Sequence, residues 1–323
     1  MLVKILESYR MKKLFLTATI LAAGLAAMAQ SDVYFTKEIT PEALVKIYEA
    51  LGVPPTGKVA VKISTGESGK TNHLRPELIA PLVQKVNGTL VECNTLYDGN
   101  RGNGKDHRKA VEERGYTKIA PVDIMDEEAE IAIAVNDSTW IHYDLVGANL
   151  PNYDYMINLA HFKGHQMGGF GGVLKNASIG VASKSGKAYI HTAGNSKSGW
   201  GNPHGQDAFL ESMAAAAQAV HNYFKQPGKD IVYINVMNNM SVDCDCNGNP
   251  AAPVVADMGI LASTDPVALD QACIDLVFNH QGAEGDNPEP LKKRINDMHG
   301  THTIDHAEKI GLGSKNYKII SID

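Results

Sequence analysis

Six short apolar runs, at 58–64, 89–94, 131–135, 155–160, 231–237 and 257–263, narrow the possible folds more than any other feature of the chain. Each has the length and apolar character of a strand. Between them, residues 75–86, 106–114, 206–224 and 265–278 carry apolar side chains at three- and four-residue spacing, the pattern of a helix with one buried face. Strands that alternate with helices are joined by crossovers, and crossovers build parallel sheets covered on both faces. The expected fold is therefore α/β, a mostly parallel sheet with helices on both faces, with room for a smaller second lobe. Asp265-Pro266 marks one helix start, because Asp accepts the free amides of a first turn and Pro gives up a hydrogen bond that was never available there. No repeat or low-complexity linker divides the sequence, so 32–323 reads as a single α/β domain.

With 44% hydrophobic and 20% charged residues, the chain has the material for a substantial core. A formal charge of -6 without a Lys/Arg stripe argues against nucleic acid or an anionic membrane surface as the main partner. Lys12 and Lys13 precede an apolar stretch over 14–27, and Ala27-Met28-Ala29 supplies small residues at a cleavage site. Residues 1–29 thus read as a signal peptide, with 1–10 an extension ahead of the true start at Met11 and cleavage near Ala29. The expected location is periplasmic or secreted. No later run reaches the ~20 apolar residues of a membrane span, and no cysteine follows the apolar core to take a lipid.

Residues 161–176 hold five glycines, two histidines and two lysines directly after the strand at 155–160. In open parallel sheets ligands collect at the carboxyl ends of strands. Gly168, Gly169, Gly171 and Gly172 are expected to free consecutive amides for an anion, with Lys175 and Asn176 completing a cofactor-binding loop. His161 and His165 are candidates for a base or a metal donor, and Lys175 for a catalytic charge. The loop fits neither the phosphate-loop nor the dinucleotide pattern. The competing reading makes it a surface loop whose glycines serve turns.

The second cluster is Asp243-Cys244-Asp245-Cys246. In an extended chain its two thiols share one side and its two carboxylates the other. With His161 and His165 it makes a candidate site for zinc, iron, copper or nickel, and His107 and His204 are further donors. A disulfide brace or a reversible redox pair explains the same cysteines. Cys93 and Cys273 lie in apolar surroundings typical of a core, and the spacing of an iron-sulfur cluster is absent. Asp270 falls among apolar neighbours on the helix at 265–278, where a polar group must be satisfied or functional, and is expected to orient a catalytic partner. Residues 97–108 read as a solvated loop leading into a helix capped by Asp106, or else as the opposite wall of a cleft. Residues 199–204 suggest a lid carrying Trp200 or a plain connection to the helix at 206–224, whereas His299, His302 and His306 read as solvated surface.

The loop ending in Gly171-Gly172-Val173-Leu174-Lys175-Asn176, the Asp243–Cys246 cluster and the stretch from Asp257 to Asp270 resemble the family catalogued as domain of unknown function 362. Many of its members carry a ferredoxin-like module with iron-sulfur clusters, for which this chain lacks the cysteines. His165 to Lys175 is also similar to the histidine, paired glycines and lysine of the nickel-pincer lactate racemase family. That resemblance implies a cofactor held by Lys175 and a base or ligand at His161 or His165. The combined expectation is an exported metal- or anion-binding enzyme with redox or isomerase-type chemistry. Its rivals are a non-catalytic envelope protein that binds a metal or small anion, and a thiol redox protein using Cys244 and Cys246.

Overall fold

Alternating apolar strands and amphipathic helices assemble as their pattern requires. The computed structural model describes residues 30–67 and 72–323, so the signal-peptide reading at 1–29 lies outside the described residues. From the amino end run β1 (Ser31–Thr36), α1 (Pro41–Ala50), β2 (Val59–Lys62), α2 (Pro76–Lys85), β3 (Thr89–Glu92), α3 (Gly104–Glu113) and β4 (Val122–Ile124). An antiparallel pair, β5 (Glu130–Ala134) and β6 (Tyr143–Gly147), precedes β7 (Tyr155–His161). Then come the hairpin β8 (Lys163–His165) and β9 (Gly169–Gly171), α4 (Val173–Ala177), α5 (Lys184–His191), α6 (Gln206–Phe224) and β10 (Asp230–Met237). The chain closes with β11 (Gly259–Ser263), α7 (Pro266–Asn279), α8 (Glu289–Asp297), α9 (His302–Lys309) and β12 (Tyr317–Ser321).

Eight strands form one sheet in the order β12-β1-β11-β10-β7-β2-β3-β4. All neighbours are parallel except β11, which runs against both β1 and β10. Alternation along the central strands splits the core in two. Tyr155, Ile157 and Leu159 of β7 face the apolar layer beneath α1 and α2, whereas Met156 and Ala160 join the layer beneath α6 and α7. Helices thus cover both faces. In place of a second lobe stand two small antiparallel pairs, and the strand expected at 131–135 belongs to one of them rather than to the main sheet.

Caps fix the helix ends. Asp265 accepts the amides of Val267 and Ala268, as its position before Pro266 implies. At α3 the cap is Asn103, whose side chain accepts the Asp106 amide at 3.0 Å. Asp106 itself lies in the first turn, so the cap expected there belongs three residues earlier. No helix among the described residues is long and apolar enough to cross a membrane.

Candidate functional site

At β2 the strand order reverses, with β3 on one side and β7 on the other. Such a switch point leaves a crevice beyond the carboxyl ends of the strands. These strands end in Lys62, Glu92 and His161, charged or polar groups that close runs otherwise apolar. A cavity of about 490 Å3 opens there. Among the described residues its wall carries Lys62, Arg101, Lys163, Lys175 and Lys187 against two carboxylates, Glu92 and Asp245, while Glu67 stands behind Arg101 with Oε2 3.8 Å from its Nε.

Both carboxylates are already engaged. Glu92 meets Lys62 Nζ at 2.9 Å and Arg101 Nη1 at 3.1 Å, and accepts the Thr65 amide at 2.8 Å. Burial alone would push its carboxyl up, but the two cations hold it well below the usual range. Asp245 faces His161 Nδ1 at 2.9 Å and Lys163 Nζ at 3.0 Å, and these partners likewise overcome burial and hold it low. Asn176 fixes the arrangement from behind, its amide donating to the Lys62 carbonyl at 3.1 Å and to Asn158 Oδ1 at 2.7 Å.

Lys175 is the exception. Its ammonium makes no hydrogen bond or ion pair with any described residue, although it lines the cavity. Burial and then the neighbouring Lys163 lower its pKa from 10.5 to about 7. The short helix α4 sets its position. Asp270, fully buried on α7, accepts the amides of Val173 and Leu174 at 2.9 Å and the side-chain amide of Asn235 at 2.7 Å. Asp270 thus holds the start of the helix that carries Lys175, and it does not itself reach the cavity wall.

The glycines serve packing instead of an anion nest. None of Gly168, Gly169, Gly171 and Gly172 lines the cavity. A Cβ on Gly172 would lie 2.2 Å from Asp270 Oδ1, and one on Gly169, at φ 77°, would meet the Gly300 backbone at 2.7 Å. The amides at the start of α4 are consumed by Asp270, which leaves them unavailable to a ligand.

The two histidines of the loop separate. In His161, Nε2 donates to the Asn238 carbonyl at 2.6 Å while Nδ1 faces Asp245, so both nitrogens are committed and the ring is absent from the cavity wall. That removes His161 from the groups available as base or metal ligand. His165 does line the cavity, and its Nδ1 accepts the Gly168 amide at 2.8 Å. Its single neutral proton then sits on Nε2. Burial, followed by Lys175, pushes its pKa well down, so the ring stays neutral. A further ring, missed in the sequence, is His191 on α5. It donates from Nδ1 to the Lys187 carbonyl at 2.7 Å, stacks on Phe209 and meets Trp200 edge-on. Trp200, 45% exposed, stands at the mouth of the cavity.

Cys244 and Cys246 form a disulfide on the same wall. His165 and the two sulfurs offer three donor atoms within 4.8 Å of one another. The other expected ligands are elsewhere: Asp243 accepts the Ala251 amide at 2.9 Å and pairs with Arg294 at 3.5 Å, and Asp245 is held by His161 and Lys163. His107 is buried beside Asn94, and the His204 ring lies tilted against Trp140. As it stands the trio does not suit a metal, because the sulfurs are bonded to each other and the free nitrogen of His165 carries a proton. Cys93 and Cys273 are free and buried, as their apolar surroundings imply.

Sequence reasoning singled out Lys175 and His165, and the segment 97–108 that brings Tyr97 and Arg101 to the wall, but gave Lys163 no role and missed Lys62, Glu92 and Lys187. A signal existed for Lys62 and Glu92, since a charge closing a buried parallel strand must be paired or functional.

A sequence model of the family described as Domain of unknown function (DUF362) matches residues 59–275. No curated protein matches the chain. Among solved structures, a Thermotoga maritima protein from the Northeast Structural Genomics Consortium is similar at 14% identity and a TM-score of 0.40, covering 62% of this chain. The chain spans 50% of the length of that protein. The lactate racemase apoprotein of Thermoanaerobacterium thermosaccharolyticum is similar at 11% identity and a TM-score of 0.39, over 91% of this chain and 83% of that one.

Proposed function

The chain belongs to the domain of unknown function 362 family, and from that premise we propose that it is an exported enzyme acting on a small anionic molecule held in the cavity at the carboxyl edge of the sheet. One observation carries the reading: five cations meet three carboxylates already in use, Glu92, Asp245 and the Glu67 that pairs with Arg101, and the ammonium of Lys175 has no partner among the described residues. A carboxylate or phosphate supplies the missing charge. Lys175, poised near neutrality, and His191, whose Nε2 carries no proton when the ring is neutral, are placed to exchange protons with such a ligand. Isomerase-type proton transfer is the chemistry this favours. Export rests on the order of charge, apolar core and small residues over 11–29.

Calorimetric titration of the oxidised protein with inorganic phosphate and with malonate tests the binding. The expected result is one anion per chain, proton uptake near pH 7.5, and loss of binding in Lys175→Met. No binding at low ionic strength refutes the reading. Exchange of the C3 hydrogens of a bound 2-oxo acid in deuterium oxide then tests the chemistry.

A second reading rests on the three converging donors, His165, Cys244 and Cys246. With the thiols reduced, the pair becomes a redox couple or a soft-metal site. Metal analysis of reduced native protein beside Cys244→Ser decides it, and a metal-free sample removes the metal version.

A further inference from the structure

Away from the cavity, two histidines of α9 converge on one carboxylate of α6. His302 and His306 stand one turn apart and so share a face. Glu211 Oε1 lies 3.1 Å from His302 Nε2 and 3.5 Å from His306 Nδ1, while Oε2 accepts the Trp140 indole at 2.6 Å. The remaining nitrogen of His306, Nε2, donates to Asp137 Oδ2 at 2.7 Å. Asp137 is itself pinned, its Oδ1 accepting the Thr139 hydroxyl at 2.6 Å and the Thr139 amide at 3.2 Å. His306 is far from the solvated residue its sequence context suggests, with its side chain 4% exposed.

This network leaves one contact unexplained. A neutral His306 that gives its proton to Asp137 turns the Nδ1 lone pair toward the negative oxygen of Glu211. Two electron-rich atoms facing each other need a proton or a metal ion between them. His302 brings a second nitrogen to that oxygen. We propose that His302 Nε2, His306 Nδ1 and Glu211 form a binding site for a divalent transition metal of the zinc class, separate from the cavity.

Two imidazoles and a carboxylate suit that class of ion and leave a fourth position for water. Asp137 holds the ring of His306 as an outer carboxylate holds a liganding histidine, fixing which nitrogen is free. The ring centres are 6.5 Å apart, and His302, 34% exposed, has the freedom to rotate onto the ion. The same site would fasten α9 to α6 and to the segment around Asp137. The rival is a doubly protonated His306 bridging the two carboxylates without any ion.

Trp140 reports on the site directly, because its indole is bonded to Glu211. The chain has two tryptophans, so Trp200→Phe leaves Trp140 alone. The protein is stripped with a chelator, kept oxidised so that Cys244 and Cys246 remain closed, and titrated with zinc at pH 7.5. The expected result is a change in Trp140 emission that saturates at one ion per chain, with cobalt giving the visible absorption of a four-coordinate site. Asp137→Asn should weaken binding by roughly 10- to 100-fold, and His302→Ala should abolish it with the circular dichroism unchanged. No saturable change in emission, or undiminished affinity in folded His302→Ala, overturns the proposal.

Discussion

Replacing Lys175 by Met should stabilise the protein and cost it its ligand. Met keeps most of the aliphatic stem and removes the ammonium, which no described residue pairs with. The fall of the Lys175 pKa from 10.5 to about 7 is worth roughly 5 kcal/mol as an upper bound, at about 1.4 kcal/mol per unit. Lys175 is only partly shielded from solvent, which screens the charge, so a gain of about 1–3 kcal/mol is the realistic expectation. The sign follows from proton counting. Between pH 7 and 10.5 the unfolded chain binds a proton at this lysine that the folded chain has lost, so native stability rises with pH over that window. The advantage of the variant is therefore greatest below pH 7 and fades toward pH 10.5. Urea unfolding of both proteins at pH 6, 8 and 9.5, in buffers free of small anions, measures the difference. Adding phosphate at a hundred times its dissociation constant should then restore about 2.7 kcal/mol to the native protein and nothing to the variant. A variant less stable than the native protein at pH 6 refutes the reasoning, because the ammonium would then be engaged in a favourable contact.

Two further substitutions probe the frame around that lysine. Glu92→Gln strands Lys62 in a buried site, leaves Arg101 only Glu67 and Tyr97, and should cost about 3–5 kcal/mol in urea unfolding at pH 7. Because the folded carboxyl is held low, its contribution is complete above the ordinary value of 4.5 and disappears as acid titrates it, so native and variant curves should approach each other at low pH. A pH-independent gap contradicts the ion-pair account. Gly172→Ala drives a methyl into Asp270 and should destabilise by about 2 kcal/mol or more. Gly201→Ala, where a Cβ has nothing within 4 Å, is its neutral control, and equal melting of the two variants argues against the packing role of Gly172.

The sheet and its helices were legible because burial on two faces writes itself into the sequence as apolar runs. The run at 257–263 shows the limit: β11 is a strand, but its antiparallel direction depends on the long connection from β10 and leaves no mark in its own residues. The run at 131–135 likewise reads as a strand without revealing that its partner is β6. At the site, Lys175 and His165 stood out because they sit in an unusual loop. Lys62 and Lys187 did not, since each is an ordinary residue in its own stretch, and Lys163, although in that same loop, shows its role only once the fold sets it against Asp245. The glycines misled for a related reason. Freedom from a side chain serves close approach to Asp270 and Gly300 as well as it serves a ligand, and only the neighbours distinguish the two uses.

The disulfide bears on the same charge balance. While Cys244 and Cys246 are joined they add no charge to the wall, and the excess of cations is left for a ligand. Reduction by a dithiol consumes two electrons and two protons and yields two thiols beside the proton-bearing nitrogen of His165. Cationic surroundings favour the thiolate, so at pH 8 a reduced pair should place negative charge against the cations the anion needs. Affinity for phosphate should then fall on reduction in the native protein and stay constant in a Cys244→Ser, Cys246→Ser variant. Thiol counting in denaturant fixes the starting point, with two of the four cysteines reactive before reduction and all four after. If reduction leaves phosphate binding unchanged while the thiol count rises, the sulfurs do not share the field of the cations, and the cavity's preference for anions is independent of its redox state.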